Sequence, residues 1–210
     1  GLVRPEQQEW TTAIDLPMGV ASGLGGAWLM AFWTAPRLVS GYPVWASSFL
    51  QYCTVVACQA HHGYFACMPS YGPRSPAAGW PASLLARQLG TIEAMTWYSL
   101  LSMVLLCFGL FMWARLVHGR TAGVAAALLA SCVSALVWLV RDLSFLPVKN
   151  ACWVLMAACV AALFRTEKSW KPVLITGLVC GLSFQVNPRG IVIGLALLGA
   201  AMAATALRAG

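Results

Sequence analysis

The stretch Thr96–Arg120, TWYSLLSMVLLCFGLFMWARLVHGR, decides how the rest of the chain is read. From Trp97 to Ala114 no side chain is charged. At ~1.5 Å of rise per helical residue the run is long enough to cross a hydrocarbon core ~30 Å thick. Trp97 and Tyr98 lie at one end and Trp113 near the other, where aromatic rings meet the two interfaces. Arg115, His118 and Arg120 follow only the second end, which the positive-inside rule assigns to the cytoplasm.

Composition agrees. The 210 residues are 60% hydrophobic and 9% charged, with a mean hydropathy of +0.76, which excludes an ordinary soluble domain and points to a multi-pass integral membrane protein. The formal charge of +7 sits in short connections between apolar runs, so it reads as topology and not as a nucleic-acid surface. The chain opens on Gly1 with no initiator Met, cationic n-region or cleavable signal and ends just after a hydrophobic run, so the sequence is expected to be a fragment of a larger protein. Of eight cysteines, Cys107, Cys132, Cys152, Cys159 and Cys180 lie in apolar runs as small hydrophobes. Cys53, Cys58 and Cys67 are placed to form one disulfide in an oxidising compartment, with the pairing open.

Outward from the central span, residues 1–18 are polar and acidic (Glu6, Glu9, Asp15). Segments 19–35 and 42–60 are apolar but rich in small or polar residues, and either cross the membrane or lie along its surface. Both crossing, or neither, puts Asp15 on the same side as the loop that follows. That loop, His61–Arg87, carries Pro69, Pro73, Pro76 and Pro81, so it is irregular apart from one short helix near Ala82–Leu89. Beyond it, spans are expected over 121–140, over 151–164 with an extension back to Leu146, over 172–186 and over 190–207. The resulting fold class is all-α. A loop region, 1–93, bears two interfacial or crossing helices, and a five-helix transmembrane bundle occupies 94–210.

Six cationic residues (Arg115, Arg120, Arg165, Lys168, Lys171, Arg208) fall in the connections assigned to the cytoplasm, against three (Arg141, Lys149, Arg189) on the other side. Asp15, the His61–Arg87 loop, Arg141, Asp142, Lys149, Asn150, Asn187 and Arg189 are therefore expected to converge on the non-cytoplasmic face.

Four places in this arrangement carry a resemblance to a known family. They are Asp15-Leu16-Pro17 before a small-residue helix, Tyr71-Gly72-Pro73 with Trp80-Pro81, Arg141-Asp142 with Asn150, and Asn187-Pro188-Arg189 after a Gly-rich helix. Together they resemble membrane glycosyltransferases of the GT-C superfamily, in the protein O-mannosyltransferase-like and polyprenol-dependent mannosyltransferase-like branches. The resemblance implies transfer of a hexose such as mannose from a polyprenyl-phosphate donor to a glycan, lipid or protein acceptor in the cell envelope. It places the active face outward from a bacterial plasma membrane. The first span expected before Asp15 is absent, and Gly-Pro-Arg and Asn-Pro stand where the family has His-Pro-Pro and Lys-Pro.

Such a transfer needs a base for the acceptor's proton, and cations or a divalent metal for the leaving phosphate. Under the resemblance Asp15 is the catalytic base or a metal-linked carboxylate; its structural alternative is a helix N-cap. Arg189, Arg141 and Lys149 are the donor-phosphate candidates, with interfacial anchoring or local ion pairing as the alternatives. His61, His62, Tyr71 and Arg74 form the substrate loop. Adjacent histidines diverge and no compact ligand spacing occurs, so no metal site is assigned. The competing functional class is a non-enzymatic membrane subunit or transporter fragment, which calls for ionisable groups at mid-membrane. The spans after residue 93 have none at their centres.

Overall fold

The computed structural model describes residues 13–39, 47–63, 78–133, 146–163, 170–186, 192–199 and 202, and among these all regular structure is helical. The principal elements are α1 (Asp15–Val39), α2 (Ser47–His62), α3 (Trp80–Leu89), α4 (Thr91–His118), α5 (Arg120–Leu129) with a 3₁₀ turn at Ala130–Cys132, α6 (Leu146–Leu163) and α7 (Trp170–Val186). A further helical run covers 192–199. Among the described residues one helix, α4, is long and apolar enough by itself to cross a membrane; Arg120–Cys132, Val148–Leu163 and Val173–Val186 are shorter apolar helices.

Helix α4 is the axis of the bundle. Glycines terminate it at both ends: Gly90 (φ 86°) and Gly119 (φ 97°) adopt positive φ, a region that side-chain-bearing residues seldom enter. Its buried side is a helical stripe including Met95, Tyr98, Ser102, Met103, Leu106 and Arg115. The outer side, with Trp97, Leu101, Leu105 and Trp113, is exposed and apolar, as a lipid-facing surface requires.

The other helices are arranged along this axis. Helix α1 runs antiparallel to α4, with Gly19 against Phe108 and Phe111, Gly23 against Val104, and Gly26 against Cys107 and the Ala127 carbonyl of α5. A Cβ at Gly26 would stand 2.5 Å from the Ala127 oxygen and at Gly23 2.9 Å from the Val104 oxygen, so only glycine permits this approach. The opposite side of α1 exposes Leu16, Val20, Leu24, Trp28 and Phe32 at four-residue intervals. Helix α6 runs parallel to α4, Val148 joining the cluster around Met95 and Tyr98 while Val154 and Leu155 meet Gly109. Helix α7 returns, its Ser183 hydroxyl donating to the Cys152 carbonyl at 3.4 Å.

Two apolar clusters mark the two levels of the bundle. One joins Ala27 and Met30 of α1 to Met103, Leu106, Cys107 and Phe111 of α4, with Ala127, Ala151 and Ala158. The other joins Tyr52 and Val56 of α2 to Ala78, Ala82, Met95, Tyr98 and Val148. There the Tyr98 hydroxyl donates to the Ala78 carbonyl at 2.6 Å, fixing the entry to α3 on α4.

This packing corrects one expectation from the sequence. Helix α1 runs lengthwise along α4, whereas α2 meets only the first turns of α4 through the second cluster. Asp15 and α3 therefore occupy opposite ends of α4, and Ala27 and Met30 of α1 belong to the same core as α4. Asp15 finds its countercharges at the far end of α4, and the glycine face of α1 fits only along its length.

Candidate functional site

The end of the bundle at α2 and α3 gathers most of the described residues that the sequence nominated. His61 and His62 close α2, exposed and edge to face with ring centroids 6.5 Å apart. The Arg87 guanidinium of α3 donates through Nε to the Ala60 carbonyl at 3.0 Å, immediately before the two histidines. Lys149 and Asn150, half-buried, sit in the first turns of α6, whose Val148 packs in the same cluster as α2 and α3. Val186, the last residue of α7, packs against that cluster too. Tyr71, Arg74, Arg141 and Arg189 lie outside the described residues.

Arg87 was missed from sequence because it reads as an unremarkable polar residue on a short helix. Its significance depends on α2 and α3 lying side by side, a contact between residues 27 positions apart. Nothing in the local pattern announces it.

The opposite end holds the densest electrostatic arrangement among the described residues. Asp15 is 0% exposed, and both of its carboxylate oxygens accept from arginines: Arg115 Nη2 to Oδ2 at 2.5 Å and Arg120 Nε to Oδ1 at 2.8 Å. Arg115 is 2% exposed and Arg120 47%. Gly123 of α5 lies against the Arg115 stem, where a Cβ would come within 3.0 Å of the Arg115 Cβ. Both oxygens of this enclosed carboxylate are taken up by cationic donors. About 17 residues of α4 separate Tyr98 from Arg115, so Asp15 lies roughly 25 Å from the corner at Ala78. The expected grouping of Asp15 with the substrate loop does not occur.

Cys58 of α2 is disulfide-bonded, and Cys53, Cys107, Cys132, Cys152, Cys159 and Cys180 are free thiols. Burial pushes the Cys53 thiol up from its ordinary value. Among the described residues no group of three or more His, Cys, Asp or Glu side chains is placed to hold a metal ion.

The sequence profile of the dolichyl-phosphate-mannose-protein mannosyltransferases matches residues 73–209, nearly two thirds of the chain. The chain belongs to the dolichyl-phosphate-mannose-protein mannosyltransferase family. No curated protein and no solved structure matches it. The match begins within the proline-rich loop and takes in α3 to α7, leaving α1 and α2 outside it. Members of this family are membrane-integral glycosyltransferases, in keeping with the apolar length of α4.

Proposed function

We propose that this chain is part of a multi-pass glycosyltransferase that moves a hexose, mannose by its family, from a polyprenyl phosphate to an acceptor at the α2–α3 end, which faces away from the cytoplasm. Membership of the mannosyltransferase family carries the reading. Two independent features support the orientation. Arg115, His118 and Arg120 cluster at one end of α4, as cytoplasmic connections do. The disulfide-bonded Cys58 lies in the helix that packs against the other end, as an oxidising compartment allows.

In this reading the donor phosphate is neutralised by Lys149 on α6 together with Arg189 and Arg141. His61, His62, Tyr71 and Arg74 contact substrate. Asp15 acts as a structural counter-ion at the cytoplasmic end, and the base that takes the acceptor's proton comes from elsewhere in the protein or from the acceptor complex.

The test is transfer from radiolabelled polyprenyl-phosphate mannose in membranes containing the complete gene product, compared with polyprenyl-phosphate glucose and with a nucleotide sugar. Transfer from the lipid-linked donor that falls on Lys149→Gln and Arg189→Gln substitution supports the proposal. Transfer from the nucleotide sugar alone refutes it.

A further inference from the structure

Cys58 stands on α2, just over one turn before that helix ends at His62, and it is disulfide-bonded. The chain has eight cysteines, and six of them, Cys53, Cys107, Cys132, Cys152, Cys159 and Cys180, are free thiols. Cys67, the remaining cysteine, lies outside the described residues. The geometry of α2 removes the nearest rival without that count. Cys53 shares the helix with Cys58 and precedes it by five residues. Five residues rise ~7.5 Å along a helix, whereas a disulfide needs its two Cα atoms within ~7 Å.

Chain length allows the bond to Cys67. The Gly63 N–H donates to the Gln59 carbonyl at 3.1 Å, and at φ 85° the backbone leaves the helical path there. From Gly63 back to the level of Cys58 is ~7.5 Å of helix. The four residues from Gly63 to Cys67 reach up to ~13 Å when extended, so the second sulfur can return to the first with slack.

We infer that Cys58 and Cys67 form a disulfide, closing a ring that contains His61 and His62, and that a disulfide-donating oxidoreductase of the outer compartment makes it. One thiolate of the pair attacks the donor's disulfide, and the other then displaces the donor from the mixed disulfide. One S–S bond forms in this chain and one breaks in the donor. Two electrons pass to the donor, which takes up two protons in place of the two thiol protons released and departs as a dithiol. Closing so short a ring restricts the unfolded chain and ties the segment after α2 to a helix whose Tyr52 and Val56 are set in the core. The inference does not depend on sugar transfer.

Membranes containing the full chain are quenched with acid, denatured and alkylated with N-ethylmaleimide, with and without prior reduction, then digested with trypsin and chymotrypsin. Six labelled cysteines are expected without reduction and eight with it. Cleavage after Tyr64 or Phe65 falls between Cys58 and Cys67, so two short peptides should stay joined until a reductant is added. Cys67→Ser should open Cys58 to the reagent, and Cys58→Ser should open Cys67. Each is expected to lower the thermal midpoint by several degrees, and the double variant no further. Eight labelled cysteines without reduction, Cys58 joined to Cys53 or to a second chain, or Cys58 still blocked in Cys67→Ser would overturn the pairing; the first two are read on the wild-type chain, whatever the variants do to folding. Cells lacking their disulfide-donating oxidoreductase should accumulate the form with eight thiols, and a fully bonded chain from those cells would overturn the assignment of the oxidant. A bonded pair in a protein that transfers no sugar would refute the proposed function and leave this inference standing.

Discussion

Replacing Asp15 by asparagine separates a structural role from a chemical one. In the native protein a fully buried carboxylate meets two guanidinium groups, one of them 2% exposed. Removing the negative charge leaves Arg115 buried without its principal countercharge, a change that typically costs about 3–5 kcal/mol because the desolvation of the remaining ion is no longer offset. The Arg120 arm, half exposed, contributes below about 1 kcal/mol, so Arg120→Gln should be much milder. Equilibrium unfolding in mixed micelles should therefore rank Asp15→Asn as severe and Arg120→Gln as slight. The exchange Asp15→Arg with Arg115→Asp should recover part of the loss, since opposite charges again face each other. If Asp15→Asn abolished sugar transfer while leaving the unfolding free energy unchanged, the ion-pair argument would be wrong and the carboxylate would belong to the chemistry.

Three other outcomes are expected. Gly26→Ala and Gly23→Ala should each destabilise the bundle by about 1–3 kcal/mol, because the new methyl meets backbone oxygen, whereas Gly177→Ala on α7, with nothing within 4 Å, should not; thermal unfolding compares them. Tyr98→Phe removes the donor to the buried Ala78 carbonyl and should cost about 1–2 kcal/mol, with faster proteolysis ahead of α3 as its local sign. In intact cells a membrane-impermeant maleimide should modify His61→Cys and spare His118→Cys; the reverse pattern would invert the orientation proposed above.

Much of the helical scaffold was legible because it is written in long hydropathy runs. The central span, the short helix after Trp80 and the extension of the sixth helix back to Leu146 all follow from apolar length, proline position and the need for enough residues. The placement of Asp15 was not legible. The counting rule for orientation uses lysine and arginine and is silent about a single aspartate, and the partners that hold it lie 100 and 105 positions away. The ambiguity between 19–35 and 42–60 had the same origin. Glycines at positions 19, 23 and 26 announce close packing, but which helix they pack against emerges only from the assembled bundle. Arg87 was hidden for the reason already met at Ala60: its partner belongs to another helix.

The two glycine-bounded ends of α4 make that helix a spacer of fixed length. Tyr98 holds one terminus and Arg115 the other, so adding a single residue between them would advance the second grip by ~1.5 Å and swing it through about 100°. The hydroxyl at the first terminus would still find its carbonyl, while the guanidinium would rotate off the aspartate and the N-terminal helix would lose its seat. Drift in this family member's sequence should therefore tolerate changes of side chain along the lipid-facing side of α4 far better than any change in its number of residues.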